Sequence, residues 1–288
     1  MANVGRSVIC VGSGNNGNDR IHTAGRLQQG QSEIVEMSIG AYETTLNLQL
    51  WKAYADEIEI FLETPSGENL PVLSERIGTQ RYRAGETELL VYYGKPGPFQ
   101  VTQEIYVDFL PTGTYLTSGI WKIHLQGRRI REGNYNLWLP GGNVLNPVTG
   151  FYRPVAAETL TIPSTAAKVI TVGAYDSRLN AYADFSGRGG NLFYPKPDLV
   201  APGVDILAPS AGGGYTGVTG TSFATPFVAG AAALMMEWGI VRGNDPFLWG
   251  EKVKAYLRRG AQPLPGFDRY PNESVGWGRL CLSESIPK

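Results

Sequence analysis

Histidine and cysteine are scarce in this 288-residue chain, with two of each. The cysteines, Cys10 and Cys281, stand at opposite ends. Two cysteines build no disulfide framework and match no zinc-ligand spacing, so no metal or cofactor is expected. Cys10 lies in an apolar run and reads as a small buried hydrophobe. An excess of either charge is also lacking: 25 Lys+Arg face 26 Asp+Glu, a net charge of −1. Without a basic face, nucleic acid is not an expected partner. No apolar stretch approaches 18 residues, so no membrane-spanning helix is expected. The opening MANVGRSVIC carries no secretory-signal pattern. What is present is a folding composition, 42% hydrophobic and 18% charged. The length suits one large or two modest domains.

Glycine, by contrast, is plentiful at 37 residues, and it clusters in Gly12–Gly17, Gly187–Gly190 and Gly212–Gly220. Such density marks backbone that turns sharply or approaches other backbone closely. Val8-Ile9-Cys10-Val11, ahead of the first cluster, reads as a strand of a parallel sheet buried on both faces. The loop at the carboxyl end of such a strand is a ligand-binding position.

From about Gln31 the texture changes. Leu46, Leu48 and Leu50 alternate with polar residues, as do Ile58, Ile60 and Leu62. Val101 to Phe109, Trp121 to Leu125 and Tyr135 to Leu139 do the same. Period-2 strands separated by turns such as Thr64-Pro65-Ser66-Gly67 describe an antiparallel β-sandwich. After Pro163 the first texture returns, with Val169–Ala174 as a buried strand. The run from Gly220 to Met236 is apolar on every side of a helical wheel, which predicts a buried helix. Pro226 falls in its first turn, where a missing N–H costs little. An amphipathic helix is expected at about Pro246–Arg259. The expected organisation is α/β: residues 1–30 and 160–288 form a parallel-sheet domain, interrupted by a β-sandwich at 31–159.

Gly220-Thr221-Ser222 at the mouth of a helix is a place for a nucleophile. The helix N-terminus leaves backbone N–H groups unpaired, and one can point at the oxygen of an attacked carbonyl. A serine hydroxyl also needs a base beside it. On these three residues alone, Ser222 could equally be a helix cap.

The longer string Gly220-Thr221-Ser222-Phe223-Ala224-Thr225-Pro226-Phe227-Val228-Ala229-Gly230 resembles the nucleophile motif of the subtilisin-like serine proteases, the subtilases. Further segments follow in that family's order. Val11-Gly12-Ser13-Gly14-Asn15-Asn16-Gly17 resembles its oxyanion-asparagine loop. Ile170–Ala174 with Ala183–Gly189 resembles its next strand and loop, and Lys196–Gly203 its "KPDxxAPG" segment. Gly276-Trp277-Gly278 is similar to its closing motif. The resemblance implies Ser222 as nucleophile and Asn15 as oxyanion donor, Asn15 being otherwise readable as a turn residue. It implies that Gly12, Ser13, Gly14 and Thr221 border the substrate, a protein or peptide. The subtilase order is Asp, then His, then Ser, with both Asp and His motifs upstream of the asparagine loop. Neither fits here. His22 follows that loop and reads as a loop residue, while His124 reads as a solvated strand residue. The chain therefore resembles the C-terminal half of a subtilase catalytic domain. Its expected partner is the absent N-terminal half, and self-association through an exposed sheet edge is expected without it. The layout is similar to that of clostridial Csp-type subtilases, whose catalytic domain carries a jelly-roll insert. That likeness implies a secreted or spore-associated protein. Some of that group are inactive pseudoproteases, so two readings stand: part of an active serine endopeptidase, or a catalytically inactive binding or scaffold protein.

Overall fold

The computed structural model describes residues 6–76, 78–95, 97–141, 144–190 and 194–286. The first five residues of the expected first segment lie outside these. Two compact units are present, one formed by residues 1–18 with 156–288 and the other by residues 19–155.

The discontinuous unit is built on a parallel sheet. Strand β1 (Cys10–Gly12) opens the chain, and ten strands of the other unit, β2 to β11, follow it. The discontinuous unit then resumes with β12 (Ile170–Asp176), β13 (Ala181–Tyr182), β14 (Leu199–Pro202), β15 (Ile206–Pro209) and β16 (Tyr215–Val218). Strand β12 is central, parallel to β1 on one side and β14 on the other. All seven of its residues are buried, as expected of an interior parallel strand. Strand β1 is at the edge; among the described residues no strand pairs with its other side. Helix α1 (Thr221–Met236) packs on β1, β12 and β14, and Ala224, Val228, Ala231, Ala232 and Met235 fill the interface. Each larger aliphatic side chain buried there contributes about 1.5–3 kcal/mol.

Helix α1 departs from the expectation of burial on all sides. Phe227 is 43% exposed and Leu234 52% exposed on the side away from the sheet. A π-helical turn, Glu237–Val241, extends it. Over Thr221–Val241 the helix is long and apolar enough to cross a membrane by length and composition alone. Its other face is committed to the sheet. The second helix, α2, is shorter than expected at Gly250–Gly260. Asp245 to Trp249 are spent in turns that precede it. A short α3 (Leu282–Ser285) packs on α2.

The continuous unit has two antiparallel sheets. One holds β2 (His22–Arg26), β10 (Asn134–Trp138), β4 (Leu46–Ala53), β8 (Thr102–Pro111), β7 (Thr87–Tyr93) and β6 (Thr79–Ala84), in that order. The other holds β11 (Gly150–Phe151), β3 (Ser32–Ile39), β9 (Gly119–Arg129) and β5 (Glu57–Glu63). Inward residues of both make one core that includes Met37, Leu48, Phe109, Trp121 and Leu137. Phe109 and Trp121 meet edge to face at 5.3 Å.

The compact units divide at Asp19 and Val155, where the sequence-based bounds were 31 and 159. Residues 19–30 belong with the sandwich, and residues 156–159 with the other unit. Strand β2 pairs along its length with β10, setting His22 opposite Trp138 and Arg26 opposite Asn134. The segment His22-Thr23-Ala24-Gly25-Arg26 has no apolar alternation, which hides its strand character. His22 is accordingly no loop residue. It is buried, with Nδ1 at 3.0 Å from Val155 O and Nε2 at 2.9 Å from Asn136 Oδ1, and stacks on Trp138. His124 lies on the outward strand face and stays partly open to solvent. It meets Glu63 at 2.9 Å and stacks on Phe61.

Candidate active site

The site lies in the discontinuous unit, where the loop after β1 meets the start of α1. The loop is clamped from several sides. Ser13 N–H donates to Val172 O, Thr161 N–H to Ser13 O, Gly17 N–H to Phe185 O and Gly187 N–H to Gly14 O. A Cβ on Gly17 would stand 2.1 Å from Ser186 O, so only glycine lets the two loops touch. Gly14 adopts φ +103°, a conformation suited to glycine.

Asn15 and Thr221 of the nucleophile motif are 206 residues apart in sequence, yet they meet. Asn15 Oδ1 accepts the Thr221 N–H at 2.9 Å and the Thr221 hydroxyl at 3.0 Å. The Thr221 oxygen in turn accepts the Gly14 N–H at 3.3 Å. A backbone N–H needs an acceptor, so these bonds fix which end of the amide is oxygen. The Asn15 NH₂ is therefore left as a donor on an exposed side chain. A Cβ on Gly220, whose φ is +151°, would come within 3.2 Å of that nitrogen.

The first turn of a helix has N–H groups with no partner inside the helix. Here three of them are met. That of Thr221 goes to Asn15, and those of Phe223 and Ala224 reach Gly220 O at 3.0 and 3.3 Å. Among the described residues the Ser222 N–H and the Ser222 hydroxyl have no partner. Ser222 is exposed. No acidic side chain occupies the first turn, so the positive end of the helix dipole is open to an anion. The arrangement offers a hydroxyl, an unpaired N–H and a side-chain amide donor at one exposed place. The Asn15 and Ser222 roles rest on that geometry and on the resemblance together.

Two of the residues expected to border the substrate have buried side chains. Ser13 is wholly buried, with its hydroxyl 3.3 Å from that of Ser186. Thr221 is buried, and its hydroxyl is used by Asn15 and Gly14. Both side chains hold the loop in shape. Gly12 is only partly buried, and a Cβ there would meet Thr221 Oγ1 at 2.9 Å.

A buried ionic cluster beneath the sheet has no counterpart in the sequence-based expectations beyond the Lys196–Gly203 match. Asp198 is fully buried. Its carboxylate takes the Thr171 N–H at 2.6 Å, Lys196 at 3.0 Å, Lys254 at 3.2 Å and the Arg258 guanidinium. Arg258 also stacks on Trp277 at 4.1 Å. Burial pushes Lys254 down to about 8, with Lys196 and Arg258 adding to the effect and Asp198 opposing it. The cluster ties β12, β14 and α2 together behind the site. Lys196, two residues ahead of Asp198 and the apolar Leu199-Val200-Ala201, was the available signal, whereas Lys254 lies among other charged residues and gave none. Cys10 packs on the same core, and burial pushes its thiol up to about 11.

No histidine lies in this unit, since His22 and His124 both fall within residues 19–155. Among the described residues no group of three or more His, Cys, Asp or Glu forms a metal-binding cluster.

The family profile described as Peptidase S8, Subtilase family, matches residues 132–278. The chain is 34% identical to serine protease AprX of Bacillus subtilis (strain 168), over 46% of this chain and 32% of that protein. It is 35% identical to subtilisin BL of Lederbergia lenta, over 40% of this chain and 38% of that protein. The solved structure of the Clostridium perfringens CspB protease superimposes with a TM-score of 0.88 and 37% identity. That match covers 97% of this chain and 58% of the CspB chain. The chain thus spans less than two thirds of each of these three proteins.

Proposed function

The chain belongs to the subtilase family, and on that premise we propose that it is part of a serine endopeptidase acting through an acyl-enzyme. Ser222 is the nucleophile in this reading. The carbonyl oxygen of the attacked peptide bond receives hydrogen bonds from the Ser222 N–H and the Asn15 NH₂ as it gains negative charge. The observation that carries the proposal is the first turn of α1, in which only the Ser222 N–H is left without an acceptor among the described residues.

Proton transfer from Ser222 requires a base, and the base an acid to orient it. His22 and His124 do not supply it. His22 is buried with both ring nitrogens bonded, and His124 is engaged with Glu63. The base and its carboxylate come from outside this sequence, on a segment that covers the free side of β1 and the apolar face of α1 around Phe227 and Leu234. The sandwich, in this reading, is a jelly-roll-like module inserted in the catalytic domain at residues 19–155.

The test is hydrolysis of fluorogenic peptides. The chain alone is expected to show no turnover. Mixing it with a separately expressed subtilase segment bearing the Asp and His motifs is expected to give turnover that Ser222→Ala abolishes. Robust turnover by the chain alone overturns the assignment of the base. Turnover that survives Ser222→Ala overturns the assignment of the nucleophile. Silence in the complemented mixture favours an inactive binding protein instead.

A further inference from the structure

The core of the sandwich turns polar at one end, where β4 and β7 finish and β5 and β8 begin. Along β4 the inward positions run Leu46, Leu48, Leu50 and then Lys52; along β8 they run Phe109, Val107, Ile105 and then Gln103. Register sets Lys52 opposite Gln103. Lys52 is only 2% exposed, at a position where the strand's alternation calls for an apolar side chain. Its ammonium donates to Asp56 O at 2.7 Å. The carboxylate paired with it, that of Glu75, stands at 3.8 Å, beyond hydrogen-bond length, on a half-exposed side chain. An ammonium has three donors, so two are left without an acceptor among the described residues. Burial pushes the Lys52 pKa down, against the pull of Glu75, Asp56 and Glu57. A buried ammonium met so incompletely is costly.

The same end carries a cavity of about 610 Å³, within the size range of small-molecule sites. Asp56 and Glu75, the two residues that meet the Lys52 ammonium, are part of its wall. So are Arg76, Lys95 and Arg131, whose charged groups have no partner among the described residues. The other charges on the wall are engaged. Glu57 pairs with Arg129. The Asp56 carboxylate accepts the N–H groups of Arg131, Glu132 and Gly133 at 2.6, 3.0 and 2.7 Å. Counting Lys52, five cations stand against three carboxylates, and the surplus is positive.

We propose that this cavity binds a small molecule carrying two or more negative groups, a polycarboxylate or a phosphate compound. One oxyanion takes the place of the Glu75 carboxylate against the Lys52 ammonium and supplies the acceptors that its donors lack. The remaining negative groups are met by Arg76, Lys95 and Arg131. Glu75 is the group that gives way, since its side chain is half exposed and its contact is long. A single negative group would answer Lys52 and leave the three wall cations facing one another, so a multivalent anion fits better than a univalent one. A concave wall that also holds Glu57 and Glu75 disfavours nucleic acid, which is met by a basic face or stripe. The inference does not depend on the protease reading, because every residue in it belongs to the sandwich unit.

The experiment is isothermal titration of the full chain with citrate, pyrophosphate and acetate, at about 0.15 M salt so that exposed charges are screened. Binding of citrate or pyrophosphate and none of acetate is expected, and the tighter of the two assigns the negative groups as carboxylate or phosphate. Lys52→Met should weaken binding about 10- to 100-fold, the scale of lost hydrogen bonds to a charged group. That substitution exchanges a buried charge for an apolar side chain, which a fold commonly tolerates. Arg131→Ala, at an exposed position, should weaken binding up to about fivefold without touching the core. Glu75→Gln should tighten binding severalfold, because it removes the charge that the ligand displaces. Lys168→Ala, in the other unit, should leave binding unchanged. The proposal is overturned by no binding of either multivalent anion, or by acetate binding as tightly. Binding that Lys52→Met leaves intact overturns it as surface charge attraction alone. Unchanged or weaker binding in Glu75→Gln overturns it as well, because the ligand would then not sit where Glu75 meets Lys52.

Discussion

Thr221→Val tests whether the Asn15 loop is held by one hydroxyl. The substitution keeps the volume and the branch of the side chain and removes only the oxygen's bonding. Three consequences follow from the geometry. Asn15 Oδ1 loses the 3.0 Å bond from the hydroxyl but keeps the 2.9 Å bond from the Thr221 N–H. Gly14 N–H loses its acceptor at 3.3 Å. The new methyl also sits in the tight space facing Gly12, where a Cβ would be only 2.9 Å from the oxygen it replaces. A lost buried hydrogen bond with one donor left unsatisfied costs about 2 kcal/mol. Amide hydrogen exchange reads this locally. If Gly14 exchanges through opening of this loop, its rate rises about 30-fold in Thr221→Val. Thr221→Ser keeps the oxygen and should exchange almost as slowly as the parent. Unchanged Gly14 exchange in Thr221→Val refutes the reasoning, as does a serine variant that behaves like the valine one.

Asp198→Asn leaves two buried lysines and the part-buried Arg258 around a neutral amide, and a loss of about 3–5 kcal/mol in urea unfolding is expected; a loss under 1 kcal/mol contradicts the cluster's role. Gly17→Ala forces a methyl against Ser186 O and should lower stability by about 1–3 kcal/mol, whereas Gly230→Ala meets nothing within 4 Å and should raise it by about 0.5–1 kcal/mol in thermal melts. Lys254, pushed down to about 8 in the folded chain, binds fewer protons folded than unfolded between that pH and about 10.5, so its contribution to stability rises with pH across this window, by at most about 1.4 kcal/mol per unit. Cys10, pushed up to about 11, works with the opposite sign above pH 9, so the measurement is the parent's stability minus that of Lys254→Met. That difference should climb between pH 8 and 10, and a flat line refutes it.

What the sequence made legible was local. The glycine-rich loop at Gly12–Gly17 and the string Gly220–Gly230 encode their own geometry, because glycine is needed wherever Gly17 meets Ser186 or Gly220 meets Asn15. The sandwich strands β4, β5, β8 and β9 announce themselves by alternation, since each has one face in the core and one outside. What stayed hidden was set by partners distant in sequence. His22 and Thr23 gain their burial from pairing with Trp138 and Leu137, and nothing near residue 22 signals that. Ser13 looks available beside Asn15 until Ser186 and Val172 close over it.

Helix α1 is the most instructive miss. Hydropathy reads Phe227 and Leu234 no differently from Val228 and Met235, yet the first pair is exposed and the second buried. A periodicity argument assigns a polar side to a helix that faces water. When every side is apolar, the pattern instead counts the surfaces to be covered, whether or not the covering residues lie in the same chain. For α1 the sheet covers one side only. An exposed apolar stripe of this kind is costly to a protein that must stay soluble alone, and the open N–H of Ser222 stands at the end of that helix. On the reading proposed here both are met together: the segment that brings the base to Ser222 also buries Phe227 and Leu234. Association then has a hydrophobic driving force that the catalytic residues alone could not provide, and substitution of Leu234 by Asp should weaken complementation without touching any group that meets the substrate.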